Sequence, residues 1–248
     1  RIAAQYGTES MPETAENVAE AFDVSRADQD RLALSSQTRA ARAIADGRMA
    51  EEILPVPVAG RRGQMTEVTQ DEHPRETTLD KLDGLRAICR DGGSVTAGNA
   101  SGVNDGAAAL ILASERAVAA QGLTPLAEYR GAQSAGVAPR VMGIGPVPAV
   151  QKLCARLGMT PQEFDLIELN EAFAAQAIAV CRELGLDPFA AHVNPRGGAI
   201  ALGHPLGMTG ARLIGTAALA IARGESRRGL ATLCVGVGQG VAVALRAP

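Results

Sequence analysis

A histidine in a glycine- and proline-rich stretch is the residue of this sequence with the clearest capacity for chemistry. Five glycines and two prolines surround His204 within residues 194–210. Glycine permits backbone angles that side chains forbid, and proline fixes φ and removes a hydrogen-bond donor. We therefore expect His204 on a bent, crowded backbone, where an imidazole can act as an acid or base near neutral pH. The alternative is a tight turn with an incidental histidine.

Two further segments carry groups that could work with an imidazole. Cys234 ends an apolar stretch and precedes a glycine turn that begins at Gly236, whose backbone N–H groups could point inward. Asn170 directly follows the apolar stretch 166–169, and its amide could hold a water or orient an oxygen. A thiol and an imidazole in one pocket allow proton transfer and carbonyl activation. The simpler alternatives are a small buried hydrophobe for Cys234 and a helix cap for Asn170.

The pattern of apolar residues predicts the elements that must position these groups. Strands alternate with helices from about residue 126, which is typical of an α/β domain. Strands are predicted at 126–135, 166–169, 230–234 and 241–245, and helices at 146–157, 173–184 and 211–223. Ligands bind where the strands of such sheets end, so the three segments are expected to meet there.

The first half of the chain is predicted to be mainly helical. Helices are expected over 14–22 and from a Ser25 cap to Ala45, followed by an edge strand or extended linker at 53–58 and a polar surface loop at 60–78. A short strand is expected at 95–97. Residues 107–113 are predicted to form a buried strand, although their alanines also permit a helix. Ser114 should cap a helix that runs to Gln121.

Composition excludes several classes of function. Of the 248 residues 46% are hydrophobic but only 2% are aromatic, so the core must consist of Ala, Val, Leu and Ile. The net charge of -3, with no basic stripe and no aromatic platform, argues against nucleic-acid binding. The apolar run 213–222 is too short to span a bilayer, and no signal-peptide pattern opens the sequence, so we expect no membrane partner.

Cysteine and histidine usage argues against metal and disulfide chemistry. The four cysteines are scattered without a Cys-x-x-Cys pair, and only three histidines are present. We therefore expect no metal site, and reduced thiols in a cytoplasmic protein.

Three motifs in this order resemble the thiolase family of acyl-CoA C-acyltransferases. They are Asn-Glu-Ala-Phe-Ala at 170–174, Gly-Gly-Ala-Ile-Ala-Leu-Gly-His-Pro-Leu-Gly at 197–207 and Cys-Val-Gly-Val-Gly-Gln-Gly at 234–240. Shorter stretches at 14–19, 96–102 and 142–149 also resemble family segments, so the resemblance covers almost the whole chain. Residues 9–14 and 136–140 are most similar to degradative thiolases that cleave 3-oxoadipyl-CoA.

The resemblance implies a role for each candidate residue. His204 would activate the nucleophilic cysteine, and Cys234 would carry the proton at the α-carbon of the acyl-CoA. Asn170, through a water and with His204, would form one oxyanion hole, and the Gly236 N–H would contribute to another. CoA and acyl-CoA would be substrates, with no separate cofactor. The residues expected to line the pantetheine channel and acyl pocket are Met11, Ala100, Ser101, Met142, Ala172 and Phe173.

Two features depart from the family pattern. No Cys-Gly-Ser-Gly-like or Cys-Ala-Ser-Gly-like motif for the nucleophile is present, and Cys89 has the wrong context. Cys154 and Cys181 fall within predicted helices and are expected in the core.

Arg196 stands where relatives usually carry a neutral residue or histidine. Pointing inward it would lower the pKa of Cys234, but we expect it to face solvent, because arginine is mostly exposed.

The implied fold is a layered αβαβα arrangement that here lacks most of its N-terminal half. We assign 1–102 to a loop domain, 103–125 to the last elements of the N-terminal half and 126–248 to the C-terminal half. Because the chain starts at Arg1 rather than Met, we expect a missing N-terminal portion. The complete protein should be a homodimer or homotetramer, and this polypeptide alone should fold poorly and be inactive. The alternative is a non-catalytic CoA-binding module or a structural fragment.

Overall fold

A computed structural model describes residues 9–60 and 63–248 of the chain. Residues 1–8 and 61–62 lie outside the described part. The expectation about the start at Arg1 therefore falls outside the described part, as do two residues near the start of the loop predicted at 60–78.

The helices lie close to the predicted positions. Helix α1 begins at Met11, a turn earlier than predicted, because Ser10 and Glu13 form a capping box in which the Glu13 carboxylate accepts from the Ser10 N–H. Helix α2 begins directly after Ser25, whose hydroxyl accepts from the Asp28 N–H as predicted. The α-helices are α1 (Met11–Ala21), α2 (Arg26–Ala45), α3 (Leu79–Asp83), α4 (Glu115–Gln121), α5 (Pro146–Leu157), α6 (Ala174–Glu183), α7 (Ala199–Leu202) and α8 (Thr209–Ala222). Short 3-10 helices cover Pro139–Ile144 and Pro161–Glu163.

The strands form a hairpin and one larger sheet. Strands β1 (Val56–Ala59) and β2 (Met65–Val68) pair antiparallel. The four-stranded sheet consists of β3 (Glu128–Gly136), β4 (Leu166–Leu169), β5 (Arg228–Val235) and β6 (Gln239–Arg246), in the order β3-β6-β5-β4. Strands β4 and β5 run parallel, so their carboxyl ends lie side by side, while β6 is antiparallel to both neighbours. Residue Val193 adds a parallel bridge to Ile167 on the outer edge of β4.

Helices cover both faces of this sheet, as expected for an α/β fold. On one face, Ile167 and Leu169 pack with α5 and α6 in the main core, and α1 and α2 lie over α6. On the other face, Leu166 packs against Ala217 and Ile221 of α8. Cys154 and Cys181 are buried in the main core, as predicted. Alternate residues of β4 thus face opposite layers, and Glu168 and Asn170 lie on the side of α8.

Some local predictions are wrong. Residues 107–113 form neither a strand nor a helix, and Ile111 is 94% exposed, because no strand of the described residues pairs with this segment. At 95–97 only an isolated bridge between Ala87 and Thr96 is present. The predicted loop at 60–78 contains β2, which completes the hairpin begun by the residues predicted as an edge strand.

Candidate active site

The carboxyl end of β4 positions Asn170. Its backbone N–H donates to Thr232 O of β5 over 2.9 Å, which continues the parallel ladder by one step. The side chain is fully buried, and its Nδ2 lies 3.4 Å from Nε2 of His204. The helix that follows begins at Ala174 with Phe173 as its N-cap residue, so Asn170 is not a helix cap. Its amide is therefore directed to the imidazole instead.

The glycine-rich loop holds His204 by its backbone. The His204 N–H donates to Gly102 O over 3.0 Å and lies 3.2 Å from Asn104 Oδ1. Gly203 before it has φ of +88°, and a Cβ there would lie 2.3 Å from Asn104 Oδ1. Only glycine satisfies both conditions, so the bent and crowded backbone predicted for His204 is confirmed.

The hydrogen bonds of the His204 ring fix its tautomer. Nδ1 lies 2.7 Å from Thr209 Oγ1, and that hydroxyl donates its one proton to Pro205 O over 3.0 Å. The hydroxyl must therefore accept from Nδ1, which leaves the lone pair on Nε2 facing Asn170. Burial, and then the charge of Arg212, lower the pKa of His204. At neutral pH the ring is thus a neutral base with Nε2 free to take a proton.

Cys234 lies near the carboxyl end of β5, next to the end of β4. Its side chain is buried in a small cluster with Met142 and Ala172, and Phe173 packs against this cluster. Burial raises the pKa of the thiol to about 12. In this environment Cys234 is a protonated thiol. It must therefore donate its proton first and can act as a base only afterwards.

The turn between β5 and β6 carries Gly236. This glycine is partly buried, and the turn continues through Val237 and Gly238, which have φ of +67° and +89°. Val137 N–H donates to Gly238 O over 2.8 Å, which attaches the turn to the segment after β3. Gly236 lies two residues beyond Cys234 and so at the same edge of the sheet, as predicted.

Three of the six residues predicted to line the CoA channel, Met142, Ala172 and Phe173, pack around Cys234, and Ala100 and Ser101 contact two of these three. Ser101 donates to Ala172 O from both its N–H and its hydroxyl, each over 3.0 Å. Ala100 forms an antiparallel bridge with Phe173, and Met142 packs against Ala172. Met11 is different: it is exposed at the start of α1, and no described contact joins it to the cluster. The binding roles themselves stay predictions.

Sequence reasoning missed the residues that hold the motifs in place. The buried carboxylate of Glu171 accepts from Ser36 Oγ over 2.7 Å and from Asn194 Nδ2 over 2.8 Å, and so joins α2 to the start of the glycine-rich loop. Asn194 also exchanges two 2.8 Å hydrogen bonds with the backbone of Leu169. A Cβ on Gly198 would lie 2.2 Å from the carboxyl carbon of Glu171, which explains that glycine. The sequence offered one signal for this network: Glu171 is a charged residue that directly follows the predicted buried strand and Asn170.

The expectation that Arg196 faces solvent is wrong. Its side chain is 7% exposed and pairs with Glu52 and, over 3.1 Å, with Glu225. Glu52 also accepts from Thr216 of α8. These carboxylates outweigh the usual preference of arginine for water, and they direct it to the turn after α2.

The described residues lack some other kinds of site. Neither 9–60 nor 63–248 contains three or more His, Cys, Asp or Glu side chains that could together hold a metal ion. In the same ranges, no helix combines the length and the hydropathy needed to cross a bilayer.

This chain belongs to the thiolase family. The family model for the thiolase N-terminal domain matches residues 2–116, and the model for the thiolase C-terminal domain matches residues 123–247. The division between loop domain, residues 103–125 and C-terminal half stays a prediction.

Relatives and solved structures agree with this assignment. The chain is 62% identical over 242 residues to the beta-ketoadipyl-CoA thiolase of Pseudomonas putida, covering 97% of this chain and 60% of that protein. It is 59% identical to the 3-oxoadipyl-CoA/3-oxo-5,6-dehydrosuberyl-CoA thiolase of Escherichia coli K12, covering 98% and 61%. The structure of Bacillus anthracis acetyl-CoA acetyltransferase matches with a TM-score of 0.92 and 46% identity, over 96% of this chain and 60% of that one. Human mitochondrial 3-ketoacyl-CoA thiolase in complex with CoA matches with a TM-score of 0.91 and 42% identity, over 98% and 60%. The chain thus spans about 60% of the length of these relatives.

Proposed function

We propose that this chain supplies the proton-transfer groups of a thiolase, in a protein that cleaves a 3-oxoacyl-CoA with CoA. The observation that carries the proposal is the contact of Asn170 with His204 at the carboxyl end of β4, beside the carboxyl end of the parallel neighbour β5, where Cys234 lies. The similarity to proteins named beta-ketoadipyl-CoA thiolases supports 3-oxoadipyl-CoA as the substrate.

The proposed reaction begins at the imidazole. His204 Nε2 takes the proton of a nucleophilic thiol, and the resulting thiolate adds to the C3 carbonyl of the substrate. We assign this nucleophile to none of the four cysteines of the sequence. The Asn170 amide and the Gly236 N–H stabilise the oxyanions that form, at roughly 3–4 kcal/mol for each donor. The neutral imidazole with a free Nε2 suits this first step.

The carbon–carbon bond breaks in the second part of the reaction. As the C2–C3 bond opens, Cys234 donates its S–H proton to C2, which releases acetyl-CoA and leaves the shortened acyl group as a thioester on the nucleophile. The Cys234 thiolate then takes the proton of CoA, whose sulfur attacks the thioester, and protonated His204 returns its proton to the departing cysteine. The buried, protonated state of Cys234 supports its role as the acid in this order.

CoA and the 3-oxoacyl-CoA are proposed as the substrates, with no separate cofactor. The cluster of Ala100, Ser101, Met142, Ala172 and Phe173 beside Cys234 would line the CoA channel. The matching human structure is a complex with CoA, which supports this placement. We further propose a cytoplasmic protein, since all four cysteines are unpaired thiols. That the complete protein is a homodimer or homotetramer is a proposal from the family alone.

A CoA-binding module without turnover is the second candidate. What favours it is the placement of the other thiols: Cys154 and Cys181 are buried in the core, away from the site. Titration calorimetry of this chain with CoA separates it from a purely structural fragment, which would show no binding heat.

The enzymatic proposal is tested in the complete protein that carries this sequence. We expect Cys234→Ala to reduce the cleavage of 3-oxoadipyl-CoA, followed by chromatographic detection of acetyl-CoA, by about 100-fold or more. Cys89→Ala is the matched control, because Cys89 is partly exposed and lies outside the site. Turnover within a few-fold of the unsubstituted protein for Cys234→Ala would show that the thiol has no part in the chemistry.

A further inference from the structure

A second pair of polar residues lies directly behind the imidazole, between β4 and α8. Asn170 and Glu168 are alternate residues on the face of β4 that α8 covers. Asn170 meets His204, which is hydrogen-bonded to Thr209 at the start of α8. Glu168 faces Arg212, three residues further along the same helix. Two neighbouring polar contacts therefore join the strand to the helix. One runs from Asn170 through His204 to the start of α8, and the other is the Glu168–Arg212 pair.

The Glu168–Arg212 pair is closely placed but incompletely bonded. Glu168 is fully buried, and neither of its carboxylate oxygens accepts a hydrogen bond from any described residue. The nearest approach is 3.8 Å, from Arg212 Nη1 to Oε2, and Arg212 Nη2 is buried without an acceptor in the described chain. Such an ion pair costs more in desolvation than an apolar pair of similar size. Since the neighbouring contact of Leu166 with Ala217 and Ile221 is apolar, stability alone does not explain the charges.

The other charged groups near Glu168 already have partners. They are Glu52, Arg196 and Glu171. Glu52 binds Arg196 and Thr216, and Glu171 accepts from Ser36 and Asn194. Arg212 also faces Asp71, and it is the one charged group whose field acts on His204 among the described residues. Arg212 thus interacts electrostatically with both a carboxylate and the proposed base.

We propose that Glu168 and Arg212 are positioning residues for His204: the pair fixes the start of α8 against β4 and sets the electric field in which the imidazole accepts its proton. This inference rests on the proposed function, since it concerns the base of that reaction. Neither residue touches the reacting atoms, and both act through His204.

The two members of the pair should act on His204 in opposite directions. The positive charge of Arg212 disfavours a second cation nearby and lowers the pKa of His204. The ionised carboxylate of Glu168 partly cancels that charge. Burial raises the pKa of Glu168 to about 7, so its charge changes close to the working pH of the site.

The test is an NMR titration of His204 in the complete protein that carries this sequence, and the titration needs no turnover. The His204 ring signal is assigned as the one lost in His204→Gln. We expect Arg212→Met to raise the pKa of His204 by roughly half a pH unit or more. Glu168→Gln should lower it by less, because the Glu168 carboxyl, with a pKa of about 7, is mostly protonated where His204 titrates. Arg212→Lys keeps the charge and should leave the pKa near its unsubstituted value. If Arg212→Met fails to fold, the double variant Glu168→Gln/Arg212→Met removes both charges and should still raise it.

Two results would overturn the inference. If Arg212→Met and Glu168→Gln both moved the pKa of His204 towards 6.5, the pair would only hold the glycine-rich loop in place and would not set the field at the ring. No movement in either variant would show that the pair does not act on the ring. In the complete protein, the same variants should shift the pH profile of kcat with little change in KM for CoA. Absence of any turnover there, with the opposite NMR shifts still present, would count against the proposed function and not against the positioning role.

Discussion

The hydrogen bond between His204 Nδ1 and Thr209 Oγ1 is the contact whose removal should change the proposed base most directly. Its length is 2.7 Å, and Thr209 is fully buried. Because the hydroxyl donates to Pro205 O, it holds the ring proton on Nδ1 and keeps Nε2 free. Thr209→Val preserves the shape of the side chain and removes the hydroxyl, which is the acceptor for Nδ1 and the donor to Pro205 O.

The size of the effect follows from the cost of a buried donor without a partner. Leaving the Nδ1–H unpaired costs about 1–3 kcal/mol. If the ring keeps its tautomer, the base-competent state is destabilised by that amount. If the ring proton moves to Nε2, that nitrogen can no longer act as a base. Returning the proton to Nδ1 then costs the same amount, about 1–3 kcal/mol. In both cases kcat should fall by roughly 5- to 150-fold, since 1.36 kcal/mol corresponds to tenfold in rate.

Two measurements check this prediction. Long-range proton–nitrogen NMR spectra of the complete protein report which ring nitrogen of His204 carries the proton, and its turnover reports kcat. Thr209→Ser is the control, because it retains a hydroxyl at the same position and should keep the Nδ1–H tautomer. The reasoning is refuted if Thr209→Val keeps that tautomer and its full kcat, or if Thr209→Ser is as slow as Thr209→Val.

Three further predictions concern stability, each measured by urea unfolding. Gly198→Ala should lose about 2 kcal/mol or more, because its Cβ would meet the Glu171 carboxyl carbon at 2.2 Å, whereas Gly207→Ala has open space and should change little. Arg196→Met should cost about 3 kcal/mol by leaving the largely buried Glu52 carboxylate without its cationic partner, while Arg228→Met, which removes an exposed pair with Glu163, should cost at most about 1 kcal/mol. The pKa of Glu168 is raised from 4.5 to about 7, so its contribution is fully present below pH 4.5 and is lost as pH rises towards 7. The unfolding free energy relative to Glu168→Gln should therefore fall by about 3 kcal/mol across that window, and a flat difference would contradict the buried acid.

The elements that the sequence predicts well carry their own boundary signals. Helix α5 was predicted at its observed bounds because Pro146 and Pro148 open it and Gly158, with φ of +66°, ends it. The Ser25 cap of α2 is equally local, since it depends on a residue three positions away. The motif residues Asn170, His204 and Cys234 could be found because each borders an apolar run or a glycine turn.

What the sequence could not predict depends on partners that are distant in the chain. Residues 107–113 have an apolar pattern typical of a buried strand, but a strand needs a neighbour to pair with, and the described chain offers none. Arg196 is buried because Glu52, 144 residues away, faces it. Glu168 gave one usable signal, a charged residue inside a predicted buried strand, but its partner Arg212 lies on another element.

The proposed base and the proposed CoA channel share one stretch of backbone, which ties binding to chemistry. Ser101 N–H donates to Ala172 O, and the next residue, Gly102, accepts from the His204 N–H. A displacement of this stretch therefore moves the wall beside Cys234 and the anchor of the imidazole together. The sheet by itself positions Asn170 and Cys234, but the anchor of His204 comes from residues 102–104, outside it. The site thus requires the segment that precedes the C-terminal half, so the C-terminal sheet and its helices alone would hold the imidazole less firmly.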